Sequence, residues 1–470
     1  MPAPSRTGRS ARPAVSPLMQ TVAAYVAGAL RKPLPPAVLE KTKHHALDTI
    51  AAMVSGSRLL PGRMAIAHVK SLGGHAEATV VGARFATHAI NAALANGMLA
   101  HADETDDSHA PSLTHPGCGI VAAALAMAER GRRDGTAFLR AVALGYDIGT
   151  RLSLSLGAGA IRAVGHSTHS IGPTFGAAAA GAALAGCNAG QIRHVLSYAA
   201  QQASGLTTYP RDLDHIEKAW DFGGMPARNG VAAATMVAGG FTGVDDVFSG
   251  ERNFFFAFDE SRRIGVAPRP HLLARNLGRT YEVVNTNIKR WSVGSPIQAP
   301  LDSLLALVRD HRIRAADVER LVVRVSVLGA TTTDNRDMPD ICLQHMCAVM
   351  LQDGIVTFES AHDEARMRDP AVLALRRRIA LIGDARLQKL LPARHGIVEL
   401  LLRDGRRLRH HTRAVRGTAQ NPMTRDEVDE KCLHLTAPVL GAKRARALCD
   451  TMWRLERIDD MRRLRPLLQA

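Results

Sequence analysis

Aromatic residues are scarce in this chain: Trp, Tyr and Phe together make up 4% of its 470 residues. Ala and Gly abound instead, a composition that disfavours an aromatic-packed sandwich and favours closely packed helices. Long apolar runs are also missing. The longest greasy stretch, Ile171 to Cys187, is mostly Gly and Ala, and no run reaches the roughly 18 uncharged apolar residues that suggest a membrane span. It reads as a tightly packed helix. The six cysteines, at 118, 187, 342, 347, 432 and 449, form no CxxC pair. That excludes a compact zinc ribbon or iron–sulfur motif and points to a reducing, cytoplasmic setting.

Acidic residues are in deficit: 43 Asp and Glu stand against 59 Lys and Arg, a formal charge of +16. Such a balance attracts nucleic acid, acidic membranes or anionic substrates. Much of the excess sits at the ends, in Arg6, Arg9 and Arg12 and from Lys443 through Arg465. Neither aromatic RNA-binding signatures nor zinc-finger spacing accompanies it, so neither nucleic acid nor membrane is expected as a partner. A basic scaffold that holds acidic partners is the non-enzyme alternative. The first sixteen residues, MPAPSRTGRSARPAVS, are Arg- and Ser-rich and lack acids, as transit peptides do. Three prolines spoil an amphipathic helix there, and a disordered basic tail over residues 1–16 is expected.

A chain of this length is too long for one ordinary core and suggests two domains. From Pro17 the pattern is helical: SPLMQTVAAYVAGAL opens after a Ser cap, and AVLEKTKHHALDTIAAMVSGS, ATHAINAALANGMLA, PGCGIVAAALAMAERG and DGTAFLRAVALGYDIG follow at helical spacing. Past residue 268 the texture changes. ERLVVRVSVL alternates as a strand, and GIVELLLRDGRRLRHHT places two alternating arms around Asp404 and Gly405, a tight-hairpin dipeptide. LQHMCAVMLQDG and DPAVLALRRRIALIG read as helices between them, and MTRDEVDEKCLHL returns to helix. The expected fold is mainly α: a large all-helical domain over residues 17–268, a smaller α+β domain over 269–420, and C-terminal helices over 421–470 packing back on the helical domain.

Three polar stretches carry candidate chemistry. HADETDDSHAPSLTHPGC, residues 101–118, puts four carboxylates and three histidines between two helices. Carboxylates suit calcium or magnesium and imidazoles suit zinc, but neither the EF-hand order nor HExxH spacing is present, so no metal is assigned. Helix capping by Asp103 or Asp106, with the other acids solvated, is the bland reading. His115 precedes a Pro that stiffens the backbone, which presents a titratable ring from a rigid turn. VGHSTHSIGPTFGAAAAG sets His166 and His169 before a Gly/Ala helix, where a polar cap is the alternative. EKAWDFGGMPARNG sets Lys218 before a Gly-rich turn, with Arg228 and Asn229 at the next helix start. A surface lysine alone means little.

In order and spacing these stretches resemble the MmgE/PrpD family, whose segments read H-A-x-[DE]-x-D-D-[ST]-H with a following H-P, a His-bearing turn before G-x-F-G-A-A-A-A, and a Lys before G-x-x-A-R-N-G. GYDIGTRL, AGGFTGVDDVFSG, KRWSVGSPIQAPLDSLLAL and MLQDGIVTF extend the resemblance over nearly the whole chain. It implies a homodimer and a cofactor-independent enzyme acting on small di- or tricarboxylates, among whose reactions are 2-methylcitrate dehydration, cis-aconitate decarboxylation and iminodisuccinate epimerisation. Carried over residue by residue, it implies catalytic roles for Glu104, His115, His166 and Lys218, and substrate contacts for Ser108, His169, Arg228 and Gln298. Glu104 stands where the family usually has Asp, and Ser108 where it has Thr. One extra residue in HSTHSIGP leaves His169 as a rival to His166. Gln298 stands near a decarboxylase-like histidine, and no tyrosine stands in VLGATTTDNRDMPD, which argues against strict cis-aconitate decarboxylation.

The chemistry so implied starts at a carbon next to a carboxylate. It needs a base, for which an imidazole is suited, and a cation for the developing charge, for which Lys218 is suited. Dehydration further needs an acid, either the second histidine or a Glu104 kept neutral by burial. A hydro-lyase is the first expectation and an epimerase or decarboxylase of the same family the next.

Overall fold

The computed structural model describes residues 14–470, so the expected tail lies, except for its last three residues, outside the described part. Thirteen helices of eleven or more residues carry the fold. They are α1 (Pro17–Gly28), α2 (Pro36–Gly56), α3 (Leu60–Leu72), α4 (Ala89–Ala100), α5 (Pro116–Arg130), α6 (Gly135–Leu156), α7 (Thr168–Ala185), α8 (Ala189–Gln201) and α9 (Met225–Ala238), then α10 (Ser295–His311), α11 (Leu343–Asp353), α12 (Arg425–Leu440) and α13 (Ala442–Trp453). The chain is a large helical domain with a smaller α+β domain. No described helix is long and apolar enough to cross a membrane.

Local signals set the helix ends. Ser16 caps α1 by accepting from the Met19 amide, Asp134 caps α6, and Thr424 with Glu427 forms a reciprocal capping box on α12. The Gly/Ala run of α7 has a packing reason. A Cβ on Gly176 would lie 2.5 Å from the Gly145 carbonyl oxygen, so α6 and α7 touch backbone to backbone. Small residues there let α5, α6, α7 and α9 form one nearly solid block around Phe138, Tyr146 and Phe175.

The smaller domain holds a four-stranded sheet of β1 (Val318–Ser326), β2 (Ile379–Asp384), β3 (Gly396–Leu402) and β4 (Arg407–Thr412), in the order β2-β1-β3-β4. β1 is parallel to β2 and antiparallel to β3, and the β3–β4 hairpin turns through Asp404 and Gly405, where Gly405 has φ 86°. Leu321, Val323 and Val325 face α10 and α11 in a second core. One expected helix is corrected: DPAVLALRRRIALIG is helical only over Pro370–Arg376, after which Ile379–Asp384 forms a strand. The outer edge of β1 needs partners for its N–H and C=O groups, and this pairing overrides local helix propensity.

Leu273, Val283 and Ile288 pack into the larger core, while Trp291 opens the smaller one, so the change of core falls later than the change of texture after residue 268. Val428, Cys432, Leu435, Leu448 and Trp453 join the larger core, which returns α12 and α13 to the helical domain. The junction between the cores brings together three stretches far apart in sequence.

Candidate active site

The segment between α4 and α5 is buried along nearly its whole length, so its acids cannot be a solvated turn. Each must be paired. Asp107 accepts from the Gly117 amide at 2.9 Å, the Tyr146 hydroxyl at 2.5 Å and His45 Nδ1 at 2.8 Å. It fixes the start of α5, and Gly117 leaves it room: a Cβ there would stand 2.9 Å from Asp107 Oδ1. Ser108 exchanges both backbone hydrogen bonds with Asn287, at 2.9 and 2.8 Å, which pins the segment against the domain junction. Asp103 pairs with His362 of the smaller domain at 3.1 Å.

Two charged centres follow. The Glu104 carboxylate lies between two ammonium groups, Lys218 on one oxygen and Lys289 on the other at 3.0 Å, and Lys289 also donates to the Glu104 carbonyl at 2.8 Å. Burial works to raise the Glu104 carboxyl, but Lys218 and Lys289 outweigh it and hold it well below the usual carboxylate range. The expectation of a neutral Glu104 acting as acid is thereby corrected. Burial works to lower the Lys289 ammonium, and Glu104 and Asp106 outweigh that and raise it.

Asp106 meets His115 Nδ1 at 2.9 Å and His101 Nδ1 at 3.0 Å. An anion against Nδ1 selects the tautomer in which that nitrogen carries the proton, which leaves His115 Nε2 as a lone-pair base. No described group bonds His115 Nε2. Burial depresses the His115 pKa to about 4, against the opposing pull of Asp106, so the ring is neutral at physiological pH. His169 is also depressed, first by burial and then by His115 and Arg162.

An aromatic floor sets the imidazoles. Phe222 lies parallel to His169 at 3.7 Å between centroids and to His101 at 4.3 Å, while His115 and His169 stand 5.2 Å apart. Phe222 belongs to a π-helical turn, Trp220–Gly224, that links the Lys218 helix to α9. Such turns recur at functional sites because the extra residue re-aims a side chain. Gly97 of α4 and Gly223 of the turn touch directly: a Cβ on either would fall 2.3 or 2.0 Å from the other's carbonyl oxygen.

The structure thus brings together Glu104, His115, His169 and Lys218. His166 is not among them: it precedes α7, in an isolated bridge with Leu206, and its ring is a third exposed, 3.9 Å from Glu260 and against Phe258. Arg228 lies over the Trp220 ring at 4.6 Å and donates to Asn229, so its charge is spent within the first turn of α9. Gln298 gives its amide to the Trp291 and Val293 carbonyls at 2.8 and 2.9 Å and accepts from the Trp291 amide, holding that turn. Ser108, Lys289 and Gln298 line a cavity of about 390 Å³ between the domains. A larger one, of about 680 Å³ along α12, touches none of the candidate residues.

Sequence reasoning missed Lys289, His101 and Phe222. Each had a signal: Lys289 opens the KRW motif, His101 opens HADETDDSH, and Phe222 precedes the double glycine after Lys218. Two groups have donor atoms close enough for a metal ion, His101 with Asp106 and His115, and His101 with Glu104 and His215. A divalent ion in either would have to displace cations or imidazole protons already bound to the carboxylates, so the donor sets fit an ion poorly.

Residues 20–266 match the MmgE/PrpD N-terminal domain and residues 291–456 the MmgE/PrpD C-terminal domain. Over 314 residues the chain is 27% identical to the cis-aconitate decarboxylase-like protein oryM of Aspergillus oryzae, a match that takes in 62% of this chain. It spans 63% of that relative's length.

Proposed function

The chain belongs to the MmgE/PrpD family, and from that premise we propose that it is a cofactor-independent hydro-lyase for a small di- or tricarboxylate, of the 2-methylcitrate dehydratase kind. The observation that carries this reading is His115: a buried neutral imidazole, held through Nδ1 by Asp106, with Nε2 free and two lysines close by. His115 Nε2 takes the proton from the carbon next to a substrate carboxylate. The electron pair moves into the carboxylate as an enediolate, whose added charge Lys218 and Lys289 offset. The pair then returns to form the carbon–carbon double bond as hydroxide leaves. The proton that makes it water comes from the Lys218 ammonium, since a neutral His169 has none to give.

The family background is that of lyases, and the relative's name speaks for decarboxylation. Against that stands Gln298, whose polar atoms are consumed by backbone and which cannot replace a protonating histidine. Epimerisation is the second reading, supported by the neutral His115 imidazole as the base that takes the proton and the Lys218 ammonium as the group that returns one. Incubating the enzyme with 2-methylcitrate and with iminodisuccinate separates the readings: unsaturated product supports the hydro-lyase, racemisation the epimerase, and neither removes this substrate assignment. We further propose a homodimer, as the family implies, which light scattering at twice the chain mass tests.

A further inference from the structure

Five charged side chains line the cavity of about 390 Å³ between the domains: Glu282, Lys289, Arg394, Arg413 and Arg416. Three of them are already paired. Glu282 meets Arg151 at 3.3 Å, Lys289 meets Glu104 at 3.0 Å, and Arg416 holds Glu427. Arg394 and Arg413 have no ion-pair or hydrogen-bond partner among the described residues, so the cavity carries two guanidinium charges without an anion. Burial lowers the Arg394 pKa to about 10, which leaves it charged at neutral pH.

The start of α10 adds uncharged donors to the same cavity. Ser295, its first residue, is only 9% exposed and lines the cavity, and neither its hydroxyl nor its amide meets a partner among the described residues. A helix of seventeen residues turns its positive end there, where unused N–H groups favour an anion. The hairpin that carries the arginines is fastened to this helix. Ser303 of α10 donates to the Gly396 carbonyl and accepts from the Thr412 amide, each at 3.1 Å. A Cβ on Gly396 would stand 2.6 Å from the Pro300 nitrogen, so β3 begins in backbone contact with α10. Arg394 lies two residues before that contact and is half-buried, while Arg413, one residue past Thr412, is exposed at the mouth. Lys289 borders the cavity and the catalytic centre alike: it lines the one and stands 3.9 Å from Asp106, the partner of His115, in the other.

We propose that Arg394 and the start of α10 form a carboxylate subsite in this cavity, which takes the substrate carboxylate farthest from the reacting carbon and makes Arg394 the residue that selects polycarboxylates. This rests on the polycarboxylate reading above. The carboxylate beside the reacting carbon stays with the lysines, and the rest of the molecule passes Lys289 into the cavity. There a guanidinium fork matches a carboxylate bidentately, while the Ser295 amide and hydroxyl serve its other lone pairs. Arg413 draws the anion in from solvent. A monocarboxylate uses the lysine end alone.

Binding of three inert probes, tricarballylate, glutarate and butyrate, measured by calorimetric titration on the full chain, tests this. The unmodified protein is expected to prefer tricarballylate and glutarate over butyrate. Arg394→Gln should weaken both polycarboxylates at least about tenfold and leave butyrate unchanged, as suits the loss of a charge-assisted pair. Arg394→Lys keeps the charge without the fork and should lose less, and Ser295→Ala should cost about threefold. Equal tricarballylate affinity in the unmodified protein, Arg394→Gln and Ser295→Ala overturns the subsite while the polycarboxylate reading stands. So does a loss in Arg394→Gln that falls equally on butyrate, because the residue then only supports the lysine end. An unmodified protein that binds none of the three overturns the polycarboxylate reading and the subsite with it. Should Arg394→Gln fail to fold, Arg394→Lys and Ser295→Ala carry the same comparison.

Discussion

His115 gains its reactivity from two neighbours acting in opposite directions. Burial keeps it neutral, and Asp106 fixes which nitrogen holds the proton. A base with a pKa near 4 is fully deprotonated from pH 6 upward, so kcat/KM should stay flat from pH 8 to 6 and fall only as pH drops toward 4. A limb with a midpoint near 6.5, the ordinary value for histidine, would place the essential base elsewhere. His115→Gln should lower kcat by roughly 10²–10⁴-fold, the usual contribution of a positioned base. His166→Gln should change it little, since that ring faces Glu260 rather than His115. Glu104 offers a stability test. Glu104→Gln leaves two ammonium groups without their anion, and breaking a buried pair in this way costs about 3 kcal/mol. Urea unfolding at pH 7 reads that loss, and an unchanged midpoint would mean that the lysines find solvent.

At the scale of elements, much of the site was legible because it lies in local segments. HADETDDSH with HPG reads as a polar stretch between helices, and the structure buries it there between α4 and α5. What could not be read was orientation. His166 and His169 are close in sequence, but α7 starts between them, so His166 stays on the bridge with Leu206 while His169 enters the helix and is buried. Lys289, far along the chain, reaches Glu104 because Asn287 pairs with Ser108, a contact no local pattern announces. The stretch 379–383 reads as helix for the same reason, since its partner strand lies far upstream. The Gly97–Gly223 contact is a direct lever on such an orientation. Gly223→Ala sets a methyl against the α4 backbone and must move the π-helical turn, at an overpacking cost of about 1–3 kcal/mol. Because Phe222 is the next residue, kcat should fall further than the melting temperature alone explains. Intact activity in a folded Gly223→Ala variant would show that the Phe222 floor does not set the imidazoles.

On the scale of the whole molecule, ionised side chains tie the two cores together, beside the apolar contact that Phe358 makes with the larger one. Lys289 and His362 join the segment that carries Glu104 and Asp103, and Lys431 of α12 braces it from behind by bonding Asp48 at 2.6 Å and the Thr105 carbonyl at 3.0 Å. These contacts are buried, so breaking the domains apart strands charges in both, and neither core can open without exposing the other's unpaired groups. Scanning calorimetry should therefore record one unfolding transition for the chain. A ligand that engages both domains stabilises the native state by RT ln(1 + [L]/Kd), about 2.7 kcal/mol at a hundredfold excess over Kd. Tricarballylate, an inert polycarboxylate probe for the cavity that both domains line, should accordingly move that single transition upward as a unit. Two transitions, with only one of them shifted by the ligand, would mean that the site is completed within the helical domain and that the smaller domain is a passive cover.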